Sequence, residues 1–131
     1  MKKQTPHQKA ETALTAFGLR LPETSRSRGW ATTRTLLVKG RMFAIFGDKG
    51  EADEALTLIV KLPVSAEMVQ DLPFVRASKG WFKQHDWVIA HFDADDDIAA
   101  EMGTLKSWLV QSWRAMAPKR LVKAFDAPGG L

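Results

Sequence analysis

The sequence predicts an α+β fold: a two-layer domain with a five-stranded antiparallel sheet and helices on one face, in the order α-β-β-β-α-β-β-α. Three observations carry this. Apolar residues recur at helical spacing near both ends of the chain. Between them, short segments rich in Val, Ile, Leu and Phe alternate with period two. Lys39-Gly40-Arg41 divides two such segments as a tight hairpin turn would. Strands joined by hairpins, with helices between the runs, pack as two layers around one core. A length of 131 residues suits a single domain, ordered from about residue 5 to residue 124.

The first element is "TPHQKAETALTAFG". Thr5 is placed as an N-cap, Pro6 at the first helical position and Gln8 where a capping box needs Glu or Gln. Ala10, Ala13, Leu14 and Phe17 follow at helical spacing, and Gly18 is a natural stop, so the helix is expected over about 6–17. The polar segment "RLPETSRSRGW" reads as a loop. "TRTLLVKGRMFAIFGD" supplies two strands around Gly40, and Leu36 and Val38 oppose Leu37. In "LTLIVKL", Leu56, Leu58, Val60 and Leu62 share one face, and Thr57, Ile59 and Lys61 the other. Ser65 can cap a short helix that turns Met68, Val69 and Leu72 inward and ends at Pro73. Strands near "FVRAS" and "DWVIAHF" follow, joined through "SKGWFKQHDW". In the last long helix, Ile98, Met102, Leu105, Leu109, Trp113 and Met116 keep an apolar stripe until Pro118, after which "KRLVKAF" can add a turn or two.

Composition narrows the function. Hydrophobic residues at 45% and charged residues at 26% mark a folded rather than a disordered chain. The absence of cysteine excludes disulfides, thiolate zinc sites, iron–sulfur clusters and thiol catalysis. No apolar run approaches the ~20 residues that span a bilayer. "MKKQTPHQKAE" lacks the apolar segment of a secretory signal, so a cytoplasmic location is expected. The net charge is +4, unevenly spread. Residues 1–41 hold nine Lys/Arg against two acids (+7), whereas residues 42–92 give −2 and residues 93–131 give −1. A basic patch in the first third suits a polyanionic partner.

Three stretches, "VKGRMFA" (Val38–Ala44), "KGWFKQHDWVIAHFD" (Lys79–Asp93) and "SWRAMAPKRL" (Ser112–Leu121), resemble the MmcQ/YjbR family of small bacterial proteins. The likeness runs from about residue 10 to residue 121 and is most specific at the Ala-Pro-Lys-Arg helix end. It implies a two-layer α+β fold of the secretion-chaperone-like type and a DNA-binding role carried by paired hairpin wings. The chain departs from the family in "GWATTRTLLV", which keeps Trp30 but has Thr32, Thr33 and Arg34 in place of the Gly and Pro signals. It also carries extra residues around "ADDDIAAEMG".

The nucleic-acid reading rests on Arg26, Arg28, Arg34, Lys39, Arg41, Lys79 and Lys83, with Trp30 and Trp81 among them. The cations would neutralise phosphates of double-stranded DNA, the tryptophans could wedge or stack, and a hairpin can enter a groove as a β-ribbon. No helix-turn-helix signature accompanies them, so little sequence preference is expected. The competing reading is a protein partner or self-association through the sheet face opposite Leu56, Leu58, Val60 and Leu62. Ile59 lies there, and in the last strand both Trp87, Ile89 and His91 and Val88, Ala90 and Phe92 include large apolar groups, so neither face reads as fully polar. The segment 119–131 could instead cover that face. Catalysis has the least support. His85-Asp86 as strand neighbours would point to opposite faces, and the chain has neither a nucleophile elbow nor a phosphate loop. The run Asp93 to Asp97 lacks EF-hand spacing and precedes a helix, where acids cap N–H groups, so neither metal nor cofactor is expected. Of the remaining tryptophans, Trp113 belongs to the core, Trp108 to its border, and Trp87 is structural.

Overall fold

The computed structural model describes residues 5–28, 33–47 and 55–127. These form a six-stranded antiparallel sheet with four helices. Helix α1 (Pro6–Leu19) begins with the full capping box: Thr5 Oγ1 accepts from the Gln8 N–H, and Gln8 Oε1 accepts from the Thr5 N–H. It runs past Gly18, which is buried inside the helix rather than at its end. A Cβ at Gly18 would lie 2.5 Å from Leu36 Cδ1, so the missing side chain sets how closely helix and sheet approach.

Strands β1 (Thr24–Arg28), β2 (Arg34–Val38), β3 (Arg41–Phe46) and β4 (Leu56–Lys61) are followed by β5 (Val75–Arg76), helix α2 (Gly80–Gln84) and β6 (Trp87–Phe92). Across the sheet the order is β1-β2-β3-β4-β6-β5. The expected five strands are thus six, because "TSRSR" pairs with β2 although it reads as a loop. The β2–β3 turn is Lys39-Gly40, with φ of 51° and 80°, the double positive φ of a type I′ hairpin. The expected helix after Pro63 is a run of turns instead. There Met68 is 77% exposed rather than inward, and Ser65 donates to Gln111 Oε1.

Helix α3 (Met102–Met116) follows a 3-10 turn at Ile98–Glu101, whose first N–H groups include that of Ala100, bonded to Asp97 Oδ1. Helix α4 (Lys119–Asp126) continues after Pro118. Leu36, Val38, Phe43, Phe46, Leu58, Val60, Val88 and Phe92 bury one sheet face with Leu14, Leu105, Leu109 and Trp113 from the helices. Trp108 belongs to this core, at 4% exposure, rather than to its border. Its ring lies 5.7 Å from that of Phe74.

The opposite face carries a second cluster of Ile45, Ile59 and Trp87, packed with Met42, Phe82 and Ile89. This corrects the expectation that an apolar face either stays open or is covered by 119–131. Ile45, Ile59 and Trp87 are all buried, and α2 packs on them through Phe82. Helix α4 lies on the other side, with the Phe125 ring 4.8 Å from that of Trp113.

Candidate nucleic-acid interface

The basic residues singled out in the sequence fall in three separate places. The first is a cleft of 670 Å³ between α1 and the β1–β2 edge. In β1, Arg26 stands opposite Leu36 and Arg28 opposite Arg34, so all three arginines share the face turned towards α1. Glu11, Thr15 and Leu19 line the helical wall, and Leu36 and Phe46 the floor. Arg34 is held by Glu11 through both arms of its guanidinium, with Nε 2.9 Å from Oε2. A Cβ on Gly47 would stand 2.7 Å from an Arg34 terminal nitrogen, so a side chain there would displace the pair. Arg26 and Arg28 are exposed on the sheet edge and make no ion pair among the described residues. Trp30 lies outside the described residues.

The second place is the β2–β3 turn. Lys39 Nζ lies 3.6 Å from Glu23 Oε2. Arg41 stands opposite Val38 and faces the helices, where it lines a groove with Arg114, Lys119 and Lys123. The third place is α2, which holds Lys79 as its N-cap together with Trp81 and Lys83. This stretch was expected as a hairpin wing; it is a short helix laid on the sheet. Its packing side is aromatic: the Phe82 and Trp87 rings meet edge-on at 6.2 Å, and Trp81 stacks on Trp87 at 6.0 Å. Trp81 remains 56% exposed, whereas Trp87 is buried as expected. Asp86 follows with φ of 64°, turning the chain into β6, so His85 and Asp86 sit in a turn rather than along a strand.

Sequence reasoning missed one polar chain. Thr57 and His91 are directly opposed across β4 and β6. The His91 Nε2–H donates to Asp93 Oδ1 at 2.9 Å, since a carboxylate only accepts. In the neutral ring Nδ1 then accepts from Thr57 Oγ1 at 2.8 Å. The hydrogen bond from His91 holds the Asp93 carboxyl below its usual value against some desolvation, and the charge of Arg76 adds to this. The buried His7 donates from Nε2 to the Asp93 carbonyl at 2.7 Å, which ties the start of α1 to the end of β6. A Thr–His–Asp order suggests catalysis, but Thr57 is 3% exposed and lines none of the clefts described above. Only the register of two strands pairs Thr57 with His91, so no local motif announces the arrangement.

Among the described residues no three His, Asp or Glu side chains are grouped to hold a metal, and no helix is long and apolar enough to cross a membrane. No family model and no curated protein matches the chain.

Proposed function

We propose that this chain is a non-catalytic protein that binds double-stranded DNA through its phosphate backbone, with little sequence preference, using the basic β1–β2 edge. The observation that carries the reading is the pair Arg26 and Arg28. They lie two residues apart on an edge strand, project to the same side, and make no ion pair among the described residues, the nearby Glu11 being paired with Arg34. Spaced by about 7 Å along a strand, two guanidinium groups can engage successive anionic groups. Such contacts fix position on a duplex and carry no base information. The likeness to the MmcQ/YjbR family in three motifs supports the same role and is part of this proposal. Arg34 contributes mainly by closing the α1 side of the cleft with Glu11. Lys79, Trp81 and Lys83 sit on an element laid on the other sheet face, so they do not extend the Arg26/Arg28 patch.

A second reading, association with a protein partner or with another copy, is favoured by one observation. Trp81 is a large aromatic side chain exposed beside a packed aromatic cluster. The two readings separate in one experiment. Fluorescence anisotropy with a labelled duplex at low salt should show binding that weakens in Arg26→Ala/Arg28→Ala and persists in Trp81→Ala. Absence of duplex binding by the unmodified chain would overturn the DNA reading and leave Trp81 as the surface to pursue.

A further inference from the structure

A second cationic groove stands where α3 meets α4, and Arg114, Lys119 and Lys123 in it are not among the candidate residues of the sequence. Helix α3 ends at Met116, Ala117 is extended, and Pro118 precedes α4. The corner and the β2–β3 hairpin enclose a groove of 510 Å³. Arg41, Arg114, Lys119 and Lys123 line it, with Ala117 and Val122 among its apolar residues, and among the described residues no acidic one does. Lys119 and Lys123 lie one helical turn apart and therefore share a face of α4.

The groove has firm walls. Leu121, Val122 and Phe125 pack α4 against the core. Asp126 accepts from both terminal nitrogens of Arg114, with one contact at 2.8 Å, and so fixes the plane of that guanidinium. Arg41 comes from a hairpin whose register with β2 is set by a type I′ turn. Asp126 offsets Arg114, while Arg41, Lys119 and Lys123 have no ion pair among the described residues. Three uncompensated cations around one concavity repel one another, and a multiply charged anion relieves that repulsion. The Arg41 guanidinium with the two lysine ammonium groups suits a phosphate, whose oxygens take a planar fork and point charges together.

We infer that the α3–α4 corner is a phosphate-binding groove, with Arg41, Lys119 and Lys123 as its ligands and Arg114 held at its wall by Asp126. The site stands on different elements from the Arg26/Arg28 edge and does not depend on it. The shared chemistry is a phosphate ester or anhydride, either from a free small molecule or from a nucleic-acid strand. The test is an amide-resolved NMR titration of the full chain at low salt with inorganic pyrophosphate as probe. A second arm titrates a short DNA duplex into the Arg26→Ala/Arg28→Ala variant, in which the other patch is silenced. Saturable shifts at Arg41 and across residues 114–123 are expected. Lys119→Ala/Lys123→Ala should weaken them by at least about tenfold, since each charge-assisted contact contributes on that scale, and Lys119→Arg/Lys123→Arg should retain them. Shifts with pyrophosphate alone assign a free phosphorylated ligand, and shifts with the duplex as well assign the strand backbone. No saturable shift in either arm, or an Ala variant that titrates like the parent, would overturn the site.

Discussion

Ser112 shows how one hydroxyl decides a structure. In β2–β3 the register shifts between Leu36 and Leu37, so Phe43 bulges and both Phe43 and Ala44 enter the core. The β3–β4 ladder starts at Ala44 and Val60, which leaves Phe43 and Lys61 beyond its end. The Ser112 hydroxyl joins them: it accepts from the Lys61 N–H at 2.9 Å and donates to the Phe43 carbonyl. Ser112→Ala leaves a buried donor and a buried acceptor unmet, and denaturant unfolding should show a loss of about 1–3 kcal/mol. Asp93 acts at the same scale through its charge. Its carboxyl is held below its ordinary value, first by the His91 hydrogen bond. The unfolded chain therefore binds more protons in the acid range, and stability rises with pH there. The contribution is complete above an ordinary carboxylate pKa of about 3.9 and fades as pH falls through the lowered folded value. The stability gap between the parent and Asp93→Asn should be constant near neutral pH and close below about pH 4. A gap that persists unchanged in acid would contradict the His91–Asp93 account.

At the scale of elements, the sequence was legible where burial imposes a period. Leu56, Leu58 and Val60 form the core face of β4, Leu62 continues it just beyond the strand, and the capping box of Thr5 and Gln8 starts α1 as expected. It was illegible where hydrogen bonding or tertiary contact does the ordering. Strand β1, "TSRSR", has no apolar alternation because it is a sheet edge exposed along most of its length, held by its ladder with β2. Helix α2 has five residues, too few for a 3.6-residue period to show, and its position follows from aromatic packing on Trp87. Gly18 resembles a helix stop in sequence, yet its use is close contact with Leu36. Phe82→Ala removes the anchor of α2 over Ile45 and Ile59, and should cost about 1–2 kcal/mol for a half-buried ring. It should also raise binding of an apolar dye to the uncovered face. Unchanged stability and dye binding would mean that α2 does not seal that face.

For the whole molecule, the decisive property is how charge is divided by the fold. The sequence places +7 in residues 1–41 as one basic excess. Folding distributes it: Arg34 goes to Glu11, Lys39 approaches Glu23, Arg41 turns to the α3–α4 corner, and Arg26 and Arg28 remain exposed on the edge. Of the candidate site, the residue types were legible and their grouping was not, because grouping depends on strand facing and on partners far along the chain. Arg34 and Glu11 are separated by 23 residues, and Lys119 reaches the Arg41 groove only because Pro118 turns α4. The central claim is that Arg26 and Arg28 engage the phosphates of DNA. It is tested most directly by the salt dependence of duplex affinity for the parent chain and for Arg26→Ala/Arg28→Ala. Each phosphate contact contributes about 0.9 to the slope of log affinity against log salt, so removing both arginines should flatten the slope by about 1–2. Equal slopes and equal affinities for the two proteins would contradict the claim.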